Sequence, residues 1–94
     1  MFYVYILKSE RDGKLYYGFT SDLKARVKEH NDGKVKSTKY RIPLKLIYYE
    51  AYTDQEIAAS REKQIKNSGK IRMNLRKRLN ISDKPMINKL KVTG

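Results

Sequence analysis

Residues 3–26 read YVYILKSERDGKLYYGFTSDLKAR, and the rest of the predicted fold is arranged around this stretch. Two tyrosine-rich apolar runs, at residues 2–7 and 15–20, alternate with the period of two that is typical of β-strands. Between them stands Asp12-Gly13, a dipeptide that favours a tight hairpin turn. The pattern therefore predicts an antiparallel hairpin closed by a two-residue turn.

This hairpin brings tyrosines to one side of the predicted sheet. With a two-residue turn, Tyr5 on the first strand shares a face with Tyr16 and Gly18 on the second. A glycine inside a strand weakens it and often marks the close approach of a ligand or of another backbone. We therefore expect a ligand to approach this face at Gly18.

The remainder of the chain predicts one more strand and three helices. The fold class is α/β in the α+β sense, with a small, three-stranded, mainly antiparallel sheet flanked by helices in the order β-β-α-β-α-α. The predicted strands lie near residues 2–8, 14–20 and 44–52, and the predicted helices near residues 22–31, 54–67 and 70–79.

The second helix has the clearest predicted ends. Thr53 and Glu56 have the spacing of a capping box, in which each side chain satisfies a free backbone donor of the other. Gly69 is predicted to end the helix in a left-handed conformation. The inward stripe of this helix is expected to contain Ile57, Ala58, Arg61 and Ile65.

Length and composition exclude several classes of protein. The chain has 94 residues, no cysteine and one histidine. It is long enough for one domain, expected at residues 1–80, with a basic tail at residues 81–94. Without cysteine, a disulfide framework, a thiol nucleophile and a Cys/His zinc site are excluded. No signal-peptide pattern or membrane-length apolar run occurs, so we expect a cytoplasmic protein without membrane contact.

The net charge of +12 is unevenly distributed. Residues 61–94 hold 11 Lys or Arg against 2 Asp or Glu, which is typical of a partner with a phosphate backbone, DNA being favoured. Two segments are predicted to form one basic surface beside Tyr5 and Gly18. Their candidate contacts are Lys34, Lys36, Lys39 and Arg41 in a loop, and Lys70, Arg72, Arg76 and Lys77 in the third helix. Further tyrosines serve in base stacking or in the core: Tyr3, Tyr17, Tyr40, Tyr48 and Tyr49.

The tyrosine motifs resemble those of the GIY-YIG nuclease family. The matching segments are Tyr3-Val4-Tyr5, Tyr16-Tyr17-Gly18 and DLKARVKEHN at residues 22–31. The resemblance covers residues 2–79 and is strongest to small stand-alone bacterial domains similar to the nuclease part of the UvrC repair proteins. Tyr3, Val4 and Tyr17 replace the Gly and the two Ile of the family motif, and Phe19 stands where UvrC-like members have lysine.

The resemblance implies a metal-dependent endonuclease that hydrolyses phosphodiester bonds in DNA, including structured or branched DNA in repair or recombination. By this resemblance Arg26 neutralises the scissile phosphate, Tyr16 takes a proton from water, and Tyr5 positions the water or the phosphate. Glu62 holds one Mg²⁺ or Mn²⁺, whose remaining ligands are waters and phosphate oxygens. Gly18, His30 and Asn74 are supporting candidates.

The residues by themselves leave other roles open. Arg26 fits a phosphate clamp, or a side chain that covers apolar surface at the rim of the core. Glu62 lies near the core and needs a cation, and an ion pair with Arg26 is the alternative to a metal. Tyr5 and Tyr16 also fit ordinary sheet packing, and His30 is expected to be partly exposed with a local hydrogen bond.

Three functions are therefore open for the whole chain. The first is a nuclease, the second a nucleic-acid-binding module that keeps the nuclease fold without turnover, and the third a small basic RNA- or ribosome-associated protein. The complete set of Tyr5, Tyr16, Arg26 and Glu62 favours the nuclease, because a pure binder has no need of a carboxylate facing the phosphate. No protein partner is indicated.

Overall fold

The computed structural model describes residues 1–80, and the predicted basic tail lies outside the described residues. The strands are β1 (Phe2–Ser9), β2 (Leu15–Thr20) and β3 (Leu44–Tyr52), and the helices are α1 (Leu23–Asn31), α2 (Gln55–Asn67) and α3 (Gly69–Leu79). The predicted fold class and the order β-β-α-β-α-α are confirmed, and every predicted boundary lies within about one residue of the observed one.

β1 is the central strand, since the sheet has the order β2-β1-β3 and both pairings are antiparallel. Helices cover both of its faces, which explains why four consecutive residues of β1 are buried. On one face Val4 and Ile6 pack against α2 and α3. On the other, which we call the α1 face, Tyr5 and Leu7 lie in a cluster to which α1 contributes.

The hairpin turn is longer than the sequence predicts. It spans residues 10–13. The backbone N–H groups of Arg11 and Asp12 donate to the Ser9 hydroxyl. The Ser9 N–H closes the turn by donating to the carbonyl of Lys14 at 3.0 Å. The register is therefore displaced by two residues, and Tyr5 lies opposite Gly18. Side chains alternate with a period of two, so this displacement keeps every residue on its predicted face.

Both predicted ends of α2 are wrong in detail. The N-cap is Asp54, whose carboxylate accepts two backbone N–H groups at 2.8 and 3.2 Å, and the predicted Thr53–Glu56 capping box is not formed. Gly69 is not a left-handed terminus but the first residue of α3. Ser68, in an extended conformation, separates the two helices, and its hydroxyl accepts a backbone N–H of α3.

The helices bury narrow apolar stripes. α2 buries Ala58 and Ile65, and α3 buries Leu75. Ile57, predicted to point inward, is 56% exposed. The buried stripe of α2 runs through Ala58 and Ile65, and Ile57 lies outside it. Among the helices of residues 1–80, none combines the length and the apolar character needed to cross a membrane.

Candidate active site

The α1 face brings together the predicted site residues of three elements. β1 contributes Tyr5, β2 contributes Tyr16, and α1 contributes Arg26 and His30. The ring centroids of Tyr5 and Tyr16 lie 6.3 Å apart, and those of Tyr16 and His30 lie 4.9 Å apart in an edge-to-face arrangement. Tyr5 and His30, which are 25 positions apart in the chain, thus lie in one aromatic cluster with Tyr16.

His30 is fully buried and joins Tyr5 to the loop after α1. Its Nε2 lies 2.9 Å from the Tyr5 hydroxyl, and its Nδ1 lies 2.7 Å from the Thr38 hydroxyl. Burial and the nearby charge of Arg26 lower the pKa of His30 to about 4, so the ring is neutral at pH 7, with one nitrogen donating and the other accepting. The expected partial exposure of His30 is wrong, because this position lies two helical turns after the core residue Leu23.

The buried Tyr5 hydroxyl is a weak acid. Burial raises the pKa of Tyr5 to about 12, opposed by the hydrogen bond and charge of Arg26 and assisted by the charges of Tyr16 and Glu62. At neutral pH Tyr5 is therefore a phenol that holds its hydrogen bonds, and not a phenolate.

Gly18 makes room for Tyr5. A Cβ atom built on Gly18 overlaps Cζ and Oη of the Tyr5 ring across the hairpin. The close approach predicted from the glycine is real, but its partner is the phenol of Tyr5 and not a ligand.

Arg26 stands at the rim of this cluster. Its Nη1 donates to Oε1 of Glu29 at 3.1 Å, and 37% of its side chain is exposed. Hydrogen bonds to Glu29 and to Tyr5 raise the pKa of Arg26, so the guanidinium keeps its charge. A guanidinium has five donors, and one that is anchored at a single nitrogen can offer the others to a phosphate.

Glu62, on α2, acts electrostatically on Tyr5 but is not paired with Arg26. Its carboxylate, 21% exposed, bonds to Lys66 at 3.1 Å on the same helix. The alternative of a Glu62–Arg26 ion pair is not formed, because each side chain has a partner three or four residues away on its own helix. Its negative charge contributes to the raised pKa of Tyr5, less than burial and the charge of Tyr16 do.

Glu62 offers a single carboxylate to a cation. Within residues 1–80, no group of three or more His, Cys, Asp or Glu side chains is placed to hold a metal. Mg²⁺ keeps several waters and accepts phosphate oxygens as ligands, so a single carboxylate is a sufficient protein anchor. The side chain of Lys66 is 49% exposed, and an exposed ion pair of this kind is weak enough for a divalent cation to displace the lysine from Glu62.

The two predicted basic segments lie in different layers. The loop borders the site directly, since Thr38 bonds to His30, whereas α3 packs against the opposite face of the sheet through Leu75. A surface that joins both segments stays a prediction. Asn74 is exposed on α3, away from the layer of Tyr5.

Some of the predicted nucleic-acid contacts have structural partners. Arg41 donates to Asp12 at 2.9 Å and so ties the loop to the hairpin turn, and Arg72 donates to the Ile65 carbonyl at 2.8 Å near the end of α2. Arg76 is half-buried. The remaining predicted contacts are exposed: Lys34, Lys36, Lys39, Lys70 and Lys77.

Two residues that contact the site, Thr38 and Glu29, were not among the predicted site residues. Thr38 lies in a loop without periodicity, and no spacing rule connects it with His30. Glu29 stands three residues after Arg26, and side chains at that spacing are neighbours on a helix, so this pair was detectable in the sequence.

Comparisons with known proteins agree with this architecture. A family model described as the GIY-YIG catalytic domain matches residues 1–76. A UPF0213 protein of Staphylococcus epidermidis is 49% identical over 65 residues, covering 68% of this chain and 78% of the relative. A UPF0213 protein of Streptococcus pyogenes is 48% identical over 61 residues, covering 64% and 65%. The solution NMR structure of a UPF0213 protein from Bacillus halodurans is 37% identical, covers 80% of this chain and 82% of that one, and has a TM-score of 0.51.

Proposed function

This chain belongs to the GIY-YIG family, and we propose that it is a metal-dependent endonuclease that hydrolyses phosphodiester bonds in DNA. One observation carries the proposal: Tyr5, Tyr16 and Arg26 meet on one face of the sheet. Structured DNA in repair or recombination, in the cytoplasm, is the setting that we propose from the sequence.

Arg26 is the phosphate-binding group in this proposal. Its pKa is raised, so it stays charged at neutral pH, and its hydrogen bond to Glu29 helps to orient the guanidinium. Placed at the rim, it neutralises the charge that develops on the nonbridging oxygens as the phosphodiester reacts.

The two tyrosines take different parts in the proton transfer. Tyr5 is buried and has a pKa raised to about 12, so it acts as a hydrogen-bonding group that positions the water or the phosphate. Tyr16 is half-buried on the edge strand β2 and is the group that takes the proton from the attacking water. His30 holds the Tyr5 hydroxyl in place from the interior.

Glu62 is the residue that holds the cation, Mg²⁺ or Mn²⁺. When bound, such a cation supplies Lewis-acid stabilisation of the leaving group and of the phosphate charge. The chain's own part is to offer a half-buried carboxylate whose charge acts on Tyr5 and whose partner, Lys66, is partly exposed.

The proposal is tested by incubating the pure protein with end-labelled duplex, flap and single-stranded DNA, with and without Mg²⁺ or Mn²⁺. We expect metal-dependent cleavage of at least one substrate, and its loss in an Arg26→Gln protein with an unchanged circular dichroism spectrum. An exposed cation outside the site provides the control, since Lys45→Gln on β3 is expected to cleave at the wild-type rate. Absence of cleavage from all substrates, or equal cleavage by Arg26→Gln, contradicts the proposal.

A further inference from the structure

We propose that a groove next to the site binds an unpaired nucleobase of the DNA strand that is cleaved, an inference that rests on the proposed function. The groove lies between the start of α1 and the sheet and has a volume of about 530 Å³. Its walls include Tyr3, Leu23, Lys24, Val27, Leu46 and Tyr49. Tyr3 and Tyr49 are the aromatic residues of this wall.

Tyr3 and Tyr49 form an edge-to-face aromatic pair, of which Tyr49 is the exposed member. Their ring centroids lie 6.0 Å apart with an interplanar angle of 69°, and Tyr49 is 53% exposed. In an edge-to-face pair, the ring that contributes its edge keeps both faces uncovered by its partner. An exposed aromatic face inside a groove is the feature on which nucleobases stack, whatever their sequence.

The groove lies on the same face of the sheet as the candidate active site. Tyr49 is the cross-strand partner of Tyr5 in the β1–β3 ladder, and directly paired residues lie on the same face of a sheet. Tyr3 follows the same alternation as Tyr5 on β1. On the helical side, the lining residue Val27 comes directly after Arg26. A strand whose phosphate is bound by Arg26 can therefore run along this face toward the groove.

The chemistry of the groove favours an unpaired nucleotide over a duplex. Bases of a duplex are stacked on each other inside the double helix and cannot enter a groove between a helix and a sheet, whereas a single strand can turn a base outward. The groove lining has one cation, Lys24, and one anion, Asp22, so the backbone that carries this base is attracted by the net charge of +12.

The experiment compares two ligands of equal charge, without divalent cation so that no cleavage occurs. One is an oligothymidylate of about 12 nucleotides, and the other is an abasic strand with the same number of phosphates. Affinity is measured by fluorescence anisotropy over a series of salt concentrations. The wild-type protein is expected to bind the thymidylate more tightly than the abasic strand, because only the former can stack.

Variants of Tyr49 test whether the difference in affinity between the two strands arises in the groove. Tyr49→Leu should weaken thymidylate binding roughly 10-fold and leave both abasic binding and the salt dependence unchanged, since no charge is removed. Tyr49→Phe keeps the ring and should bind as the wild type does. Ile57→Ala, which changes a similarly exposed apolar residue on α2, serves as the control. Wild-type thymidylate affinity in Tyr49→Leu, equal losses on both strands, or equal binding of both strands by the wild type overturns the inference.

This result is separable from the proposed function. A protein that shows the Tyr49 effect but cleaves nothing keeps the groove and loses the endonuclease assignment. A protein that cleaves DNA but shows no Tyr49 effect keeps the endonuclease assignment and loses the groove.

Discussion

At the scale of single residues, the site depends on a histidine that stays neutral. His30 is buried between the hydroxyls of Tyr5 and Thr38, where a charged ring would lack the hydration that it has in the unfolded chain. The folded protein therefore resists protonation of a group that the unfolded chain protonates readily.

The consequence is a dependence of stability on pH. The pKa of His30 is about 4 in the folded chain, against an ordinary value of 6.5, so between these values the unfolded state binds more protons and stability falls as pH falls. We expect the free energy of unfolding to drop by about 2 kcal/mol from pH 7 to pH 5. Urea denaturation at both pH values measures this drop. His30→Gln, which does not titrate, should lose much less, and an equal loss in both proteins would contradict the assignment.

Gly18 is the second residue with a specific consequence. In Gly18→Ala the new methyl group meets the Tyr5 ring, whose hydroxyl is held by His30 and cannot move without breaking that bond. We expect a loss of about 1 to 3 kcal/mol in urea denaturation, together with reduced cleavage. Gly69→Ala is the matched control, because the nearest atom to its Cβ is the end of the Arg72 side chain at 3.8 Å. Equal stability of the two variants would show that Gly18 does not accommodate the ring.

At the scale of elements, an ion pair fastens α2 to β3. Arg61 on α2 donates from Nε and Nη2 to the two carboxylate oxygens of Glu50 on β3, at 2.9 and 3.0 Å. Tyr48 and Tyr52 donate to the same carboxylate from β3 itself. Burial acts to raise the pKa of Glu50, but the hydrogen bonds from Arg61 and the tyrosines outweigh it and lower the pKa to about 2.

Removing the charge of Glu50 is expected to destabilise the protein. Glu50→Gln leaves Arg61 half-buried without its counter-charge, and we expect a loss of about 2 kcal/mol at pH 7. The difference from wild type should shrink as pH falls from 4.5 toward 2, since in that range the unfolded wild-type chain binds a proton at Glu50 and the folded protein does not. The double variant Glu50→Gln, Arg61→Met should be less destabilised than the sum of the single variants, and simple additivity would contradict the direct pairing.

The positions of the strands and helices were predictable from the sequence, but the long-range side-chain contacts between them were not. Alternation and capping patterns located all three strands and all three helices, because these signals are local. The register of the hairpin was displaced because the Ser9 side chain reaches into the turn, and the Glu50–Arg61 pair joins positions that share no periodic relation. Likewise, the burial of His30 depends on Thr38, in a loop that no pattern places.

At the scale of the whole molecule, the positive charge is divided between two faces of the sheet. The loop with Lys34, Lys36 and Lys39 adjoins His30, whereas α3 lies in the layer of α2. If DNA binds across the site, replacing these three lysines with Gln should weaken binding and reduce the log-log salt slope by up to about 0.7 per lost single-strand phosphate contact. The matched triple change at Lys70, Lys77 and Arg78 should have a smaller effect. A larger loss from the α3 change would place the DNA on the opposite face.

The central claim is that the fold carries a nuclease site in which Glu62 holds the cation. Replacing Glu62 with Gln keeps the size of the side chain and removes the charge, so cleavage of labelled DNA in Mg²⁺ or Mn²⁺ should fall at least about 100-fold. Folding should be preserved, since Glu62 is paired within its own helix with Lys66, whose side chain is 49% exposed. DNA binding should survive or tighten, because an anion near the phosphate is removed.

The most direct measurement is therefore the metal-dependent cleavage rate of Glu62→Gln beside that of Glu56→Gln, an exposed glutamate on the same helix. The account predicts that Glu62→Gln is folded, binds DNA and is nearly inactive, while Glu56→Gln cleaves at the wild-type rate. A normally folded Glu62→Gln protein that cleaves DNA as fast as the wild type would contradict it.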